Sequence, residues 1–451
     1  MSHSVLRAVP PLPPGAVTDP SQVNADATDR SGAAAGRPLG LVRAVNAEHV
    51  QEVVRWAAAT RTPIVPRGAG TGLSGAATAG DGALVLDLSG MDRIVSIDAD
   101  NQVAVVEPGV ITADLDAAAR RQGLFYAPDP ASAALSTIGG NIATNAGGMR
   151  CVKYGVTGDS VLGLDVVLAD GRLLHTGTST LKGVTGYDLT SLFVGSEGTL
   201  GVVVGARLRL RPAPVAVATA AATFDDVETA AVATAALGRA RLTPSVLELL
   251  DERTLATIDR AQGTSLAQRG GSLVIAQADG ADAVEQIRAI ARVLGATATW
   301  VEHTDDADRA EELLAARRLA LPSIEKFERA LIEDICVPRS QLSVAVRRIA
   351  EVSARTGVTV HTFAHAGDGN LHPIVSWDRA LPAPPVPVHG AAEAIFQLAL
   401  ELGGTLTGEH GIGLLKRAYI GEEIGETGLD VHAAVKAALD PHGVLNPGKA
   451  F

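Results

Sequence analysis

Cysteine is nearly absent from this chain, with only Cys151 and Cys336 among 451 residues. Two separated thiols build no disulfide framework and no iron–sulfur site, and they suit a reducing cytoplasm. Aromatic residues make up only 3%. No apolar run reaches membrane-spanning length; VAVATAAATF (215–224) is too short and too rich in alanine. The opening MSHSVLRAVPPLPPG has no apolar core, so no signal peptide is expected. A net charge of -12 argues against nucleic acid or an anionic membrane surface as a partner. The expected compartment is the cytoplasm, with the membrane periphery left open. What is abundant is glycine, 48 residues, together with a 47% hydrophobic fraction. The chain is long enough for two or more cores and has the backbone freedom for many loops.

Residues 1–37 are rich in Pro, Ala, Gly and Asp and read as an irregular lead-in. Val50, Val53, Val54, Ala57 and Ala58 share one helical face. Strands are expected at 63–66, 83–88, 93–97 and 102–107, and a helix at 112–122 with Thr112 as its N-cap. Residues 162–177 form a hairpin turning at Asp170-Gly171, and 202–212 is a further strand. After Pro214 helical runs (225–237, 281–294, 339–355) alternate with strands (245–250, 272–278, 359–365). That alternation predicts a second α+β layer with its helices on one face. The proline-rich stretch 380–390 is a connection without chemistry.

PRGAGTGLSG (66–75) follows a strand, and its glycines let successive N–H groups surround an anion. Gly70 to Gly75 satisfies GxGxxG literally, but a strand follows rather than a helix, so a dinucleotide fold of the βαβ kind is disfavoured. On its own this is a surface turn. Two more glycine loops, 136–155 and 195–203, make it one of three that could wrap a single long cofactor.

HAGDGNLH (365–372) and GEHG (408–411) are the other concentrations of chemistry. His3, His49, His175, His303, His389, His432 and His442 read as packed or hydrogen-bonded side chains. His365 and His372 differ because they flank a GDGN turn. If that turn folds the strand back, the two imidazoles converge, and Glu409 can add a carboxylate oxygen. Two nitrogens and one carboxylate with open positions suit a catalytic divalent ion. Arg317 and Arg318, read alone, are a solvated helix face.

PRGAGTGLSG, PDPAS (128–132), TIGGNIATNAGG, KYG (153–155) and GSEGTLGV, in that order, resemble the FAD-binding domain of vanillyl-alcohol oxidase type. The likeness is closest to the D-lactate, glycolate and D-2-hydroxyglutarate dehydrogenase group and runs from about residue 38 to the C-terminus. It implies an α+β chain: an FAD-binding domain (38–213), an α+β substrate or cap domain with an antiparallel sheet (214–405), and a helical C-terminal segment (406–451) that returns to the flavin. It implies FAD, with pyrophosphate on Pro66, Arg67, Gly68, Ala69, Gly70, Thr71, Gly72, Ser74 and Gly75. Ring contacts are implied from Pro128, Ser132, Gly139, Gly140, Asn141, Gly148, Gly201, Val202 and Asn446. Thr71 stands where some relatives tether FAD through histidine, so non-covalent FAD is expected. Cys151, near a second tether point in some relatives, reads as a small buried residue.

The resemblance further implies a metal on His365, His372 and Glu409, with His410 as base and Arg317 on the substrate carboxylate. Zinc is the first choice of ion, and ligand type leaves manganese, iron and cobalt open. Relatives acting on D-2-hydroxyglutarate carry a lysine for the distal carboxylate, and here that place is near Ile332, with Lys326 close by. The implied reaction is oxidation of a lactate- or glycolate-like D-2-hydroxy acid to the 2-oxo acid, with hydride to flavin N5. The electron acceptor is unidentified, and a homodimer or sister subunits are the open choices of partner.

Overall fold

Three short strands, Gly40–Arg43, Leu84–Asp87 and Ile64–Arg67, pair in parallel in that order. All four residues of the central strand are buried, as a sheet covered on both faces requires. The helix Ala47–Thr60 packs on this sheet through Val50, Val53, Val54 and Ala57. Its cap is Asn46, whose side chain accepts from the His49 amide, and it ends at Arg61 in the left-handed region. A computed structural model of the chain describes residues 11–180 and 182–450. Residues 1–10, His3 among them, lie outside the described residues.

An antiparallel sheet of five strands follows, in the order Ile94–Asp98, Val103–Val106, Val202–Arg209, Val161–Val167, Leu173–His175. The hairpin turns at Gly171 with φ 81°, as Asp-Gly demands. Two local expectations change here. Thr112 does not cap the helix Thr112–Arg120; Ile111 occupies that position. The Thr112 hydroxyl instead donates to Ser136 O and accepts from Asn141 Nδ2 at 2.7 Å, tying the helix to the second glycine loop. That loop itself contains a helix, Ile138–Thr144, capped by Thr137. Gly139 sits in its first turn because a Cβ there would lie 2.6 Å from Pro108.

Beyond Pro214 lies an eight-stranded antiparallel sheet, ordered Trp300–Thr304, Val217–Phe224, Ser272–Asp279, Val246–Asp251, Thr359–His365, Asn370–Asp378, Glu328–Ile332, with Ile335–Cys336 also paired to Asn370–Asp378. Its helices lie on both faces, not one. Val227–Arg239, Ala283–Leu294, Leu342–Thr356 and Val386–Glu401 cover one side, and Glu252–Gln262 and Ala307–Phe327 the other. The strand Val217–Phe224 reflects this: residues 218–224 are all buried, with Ala220 and Ala222 in one core and Ala221 in the other.

The lead-in also departs from expectation. It contains the helix Pro20–Ala25, capped by Asp19, with Val23 and Ala27 buried against Leu41, Val65 and Val85. The stretch 380–390 runs into the helix Val386–Glu401, whose first turn tolerates Pro387 because an N–H there has no partner to lose. At the end of the chain, the helical run Ile420–Leu439, kinked at Gly425 with φ 69°, stops before Asp440-Pro441. The tail then lies beside the first sheet, with Ile64 N donating to Val444 O and Asn446 N donating to Ile64 O at 2.7 and 2.8 Å.

Candidate active site

The GDGN turn folds the strand Thr359–His365 onto Asn370–Asp378, with Gly369 at φ 89°. A side chain at Gly369 would meet Val337 O at 2.1 Å, so glycine is required twice over. The fold-back brings the rings of His365 and His372 to 5.1 Å, nearly perpendicular. Glu409 arrives from the GEHG loop: its Oε1 lies 3.5 Å from His365 Nε2 and 3.2 Å from His372 Nε2. Two ligands at about 2.1 Å from a tetrahedral zinc are themselves separated by roughly 3.4 Å. The nitrogen and oxygen atoms present therefore fit a divalent ion in spacing and in donor type. His410 stacks on His372 at 5.2 Å, with its Nε2 4.0 Å from the same Glu409 oxygen.

Two buried carboxylates that motif reading did not select stand behind these ligands. Glu248, in Val246–Asp251, is the register partner of His365 across the sheet. It accepts from His365 Nδ1 at 2.7 Å and from Arg317 Nε at 2.6 Å. Asp334 accepts at one oxygen from the Thr407 hydroxyl (2.6 Å) and the amides of Gly408, Glu409 and His410 (3.0, 3.0 and 2.9 Å). Its other oxygen accepts from Asn370 Nδ2 at 2.8 Å and lies 3.9 Å from His372 Nδ1. His365 and His372 thus each have an acid at the rear, as ligating histidines generally do. The sequence signal for both was an acid inside an apolar strand-like run, LEL and EDIC.

The electrostatics follow. Burial alone would raise the Glu409 carboxyl, but hydrogen bonds and charge from His365 and His372 hold it well below the usual range. Burial would likewise lower His365, but Glu248 and Glu409 lift it well above. The pocket favours positive charge at this point, which a divalent cation would supply in place of the imidazole proton. His410 is different: burial, opposed by Asp334, takes it down to about 4, so it is neutral and able to accept a proton.

These groups face a cavity of about 700 Å³. Its wall includes Pro66, Arg67, Gly68, Ala69, Gly70, Thr71, Gly72, Ser132, Gly139, Gly140, Asn141, Gly148, Gly201 and Val202, and also Arg317, His365, His372, Glu409 and His410. Among the described residues, none of the backbone N–H groups of residues 69–73 donates to a protein acceptor. A run of free N–H groups lining a cavity fits the pyrophosphate of a dinucleotide.

Four of the residues expected at the cofactor are not on the wall of this cavity. Pro128 is buried outside the cavity wall. Ser74 is turned inward, its hydroxyl donating to His410 O and Gly411 O at 2.9 and 2.8 Å. Gly75 faces Leu414 instead. Asn446, at φ 41°, is buried and donates through Nδ2 to Ala76 O and Glu197 O, so it ties two loops from behind. The Arg67 guanidinium also turns back, with Nη1 donating to Thr28 O at 2.6 Å. Asp29 and Arg30 of the lead-in line the cavity, which irregular composition did not reveal. Cys151 is half-buried, and burial and nearby Glu409 push its thiol far up.

Arg317 lies on the helix Ala307–Phe327 with its guanidinium 4.4 Å over the Phe363 ring. Leu321, Pro322, Ile332 and Phe363 form the wall beside it, and Glu325 also faces the cavity. Lys326 is not available to this wall: its ammonium donates to Ala261 O.

Two family models match. The one described as FAD binding domain covers residues 38–177, and the one described as FAD linked oxidases, C-terminal domain covers 213–450. The glycolate oxidase subunit GlcD of Bacillus subtilis is 40% identical over 420 residues, 92% of this chain and 89% of that protein. A D-lactate dehydrogenase of Archaeoglobus fulgidus is 35% identical over 415 residues, 91% and 90% of the two chains. The structure of p-cresol methylhydroxylase overlays with TM-score 0.77 at 18% identity, over 97% of this chain and 93% of that one, a likeness of fold. Glycine loops, antiparallel second sheet and these matches lead to one assignment: the chain is an FAD-linked oxidoreductase of the vanillyl-alcohol oxidase type and belongs to its D-lactate, glycolate and D-2-hydroxyglutarate dehydrogenase group.

Proposed function

We propose that this chain oxidises a D-2-hydroxy acid of lactate or glycolate type to the 2-oxo acid, using non-covalent FAD and a divalent metal, zinc by its donor set. The observation that carries the reading is the convergence of His365, His372 and Glu409, with neutral His410 beside them, on the cavity that the glycine loops and Arg317 also line. When bound, the flavin supplies a two-electron acceptor and the metal a Lewis acid. The free N–H groups of residues 69–73 hold the pyrophosphate. Ser132, Gly139, Gly140, Asn141, Gly148, Gly201 and Val202 bound the space for the ring. Thr71 and the raised Cys151 thiol offer the flavin no ready tether.

Arg317 binds the substrate carboxylate end-on, because its Nε is taken by Glu248 and one face by Phe363. His365, His372 and Glu409 would hold the metal, which would supply a Lewis acid to polarise the substrate hydroxyl. His410 takes the hydroxyl proton, for which a neutral imidazole is the required form. Beside Arg317 the wall is apolar at Leu321, Ile332 and Phe363, and Arg318, which also lines the cavity, is already paired with Glu311, which favours a monocarboxylic acid.

Anaerobic mixing with D- and L-2-hydroxy acids, following flavin absorbance, tests the proposal. Bleaching by D-lactate or glycolate but not L-lactate is expected; no bleaching by any acid refutes it. A second reading is that the chain is the flavin subunit of a larger glycolate-oxidising assembly, which the subunit name of the Bacillus subtilis relative favours. An isolated chain that reduces no dye, yet does so with a co-expressed neighbour, decides for that reading.

A further inference from the structure

One acid interrupts the apolar strand Val246–Asp251. Glu248 has a side chain with no solvent exposure, between Leu247 and Leu249, which face the other way into core. Burying a carboxylate costs several kcal/mol unless charge and hydrogen bonds compensate it. Here two partners do so, one on each oxygen: His365 Nδ1 at 2.7 Å and Arg317 Nε at 2.6 Å. They come from separate elements, 117 and 69 residues away. They also serve separate tasks in the proposed reaction, one holding the metal and the other the substrate carboxylate.

We propose that Glu248 is a positioning residue that sets the His365 imidazole and the Arg317 guanidinium in one frame, so that metal and substrate are placed relative to each other through a shared carboxylate. The inference rests on the function proposed above. On the metal side, accepting from Nδ1 keeps the proton on that nitrogen and leaves Nε2, which stands 3.5 Å from Glu409 Oε1, as the nitrogen that would bind a metal. On the substrate side, holding Nε while Phe363 covers one face at 4.4 Å leaves only the terminal nitrogens for a ligand. Among the described residues, the guanidinium makes no hydrogen bond other than that to Glu248. An ion pair that merely filled the core would not need to choose these two partners or the atoms facing away from the cavity.

Glutamine at this position separates the two roles from simple packing. Its shape is the same, but the two donors sit on different oxygens of Glu248, and glutamine replaces one of these with an NH2. Whichever way the amide turns, its NH2 faces either Arg317 Nε–H or the His365 edge that must stay protonated for Nε2 to bind metal.

The experiment uses purified flavoprotein stripped of metal. Zinc affinity is measured by competition with a chromophoric chelator, which requires no turnover, and half-saturating D-lactate is measured at saturating zinc. In E248Q, zinc affinity is expected to fall by roughly 10–100-fold, the usual effect of losing such a partner. Half-saturating D-lactate should rise by about tenfold or more through weakened Arg317, while flavin content stays that of wild type. Either quantity remaining within about twofold of wild type overturns the inference. R317M supplies an independent arm should E248Q not fold. Arg317 does not face the metal, yet removing it leaves Glu248 to His365 alone, and zinc affinity should rise by about threefold or more. An unchanged zinc affinity in R317M overturns the inference. A wild-type chain that takes up no zinc overturns it together with the parent reading, whereas wild-type behaviour of E248Q beside a working wild type overturns this inference alone.

Discussion

Asp334→Asn tests the other buried acid. One Asp334 oxygen accepts from four donors, the Thr407 hydroxyl and three consecutive amides that include those of Glu409 and His410. Lys416 stands 3.6 Å from the same oxygen. A hydrogen bond to a charged acceptor contributes about 1 kcal/mol more than one to a neutral acceptor. Four such bonds put the cost of neutralising Asp334 at about 4 kcal/mol. The Asn370 side is cheaper to lose, because its Oδ1 lacks a partner among the described residues and the amide can flip to accept from the new NH2. The penalty therefore falls mainly on the 407–410 loop, as local opening rather than global unfolding. A shift of about 4 kcal/mol moves the closed loop's population by up to roughly 10³-fold. Since Glu409 and His410 both ride on that loop, D334N should lower kcat by about 10²–10³-fold and reduce bound zinc, while the flavin-to-protein absorbance ratio stays that of wild type. The assay is dye reduction by D-lactate, with zinc measured per chain. A D334N enzyme whose kcat and zinc content both lie within about twofold of wild type refutes the reasoning, because the loop would then be placed by something else.

His410→Ala should depress turnover by roughly 10²–10⁴-fold with FAD and zinc retained, the usual worth of a general base; unchanged turnover removes His410 from the mechanism. Gly408→Ala puts a Cβ 1.5 Å from Asn370 Nδ2, so it should separate the two motifs and abolish dye reduction without releasing FAD. Full activity of G408A would show that the loop has slack the structure does not display. A pH effect on stability is expected from Glu333, whose buried carboxyl is raised to about 7 from its ordinary 4.5. Below about pH 4.5 folded and unfolded chains both hold this proton. Between about 4.5 and 7 only the folded chain does, so stability falls with rising pH, by about 3 kcal/mol in total. Urea midpoints at pH 5 and pH 8 should converge in Glu333→Gln relative to wild type, and an equal pH response in both proteins would count against it.

What could be read from the sequence was chemistry concentrated in short spans. HAGDGNLH and GEHG carry their candidate ligands within eight and four residues, and a glycine turn with φ near 90° needs no distant information to be recognised. The glycine loops were legible for the same reason. What escaped was chemistry divided between spans. Glu248 meets His365 only because the strands Val246–Asp251 and Thr359–His365 pair in that register, and Arg317 only because the helix Ala307–Phe327 packs on that face of the sheet. Helices on both faces escaped too, since the alanine-rich strand 217–224 shows no alternation from which to read its sides. Ser74 and Asn446 were located in the right neighbourhood, but the direction of their side chains was not legible, because a motif names residues and not where they point. Both point away from the cavity and tie together the loops around it. The same distinction applies to the two acids. The candidate ligand-facing residues sit in short glycine-rich segments and show as motifs, whereas the acids that aim them are fully buried, paired over more than sixty positions, and appear in the sequence only as charges where the apolar pattern should forbid them.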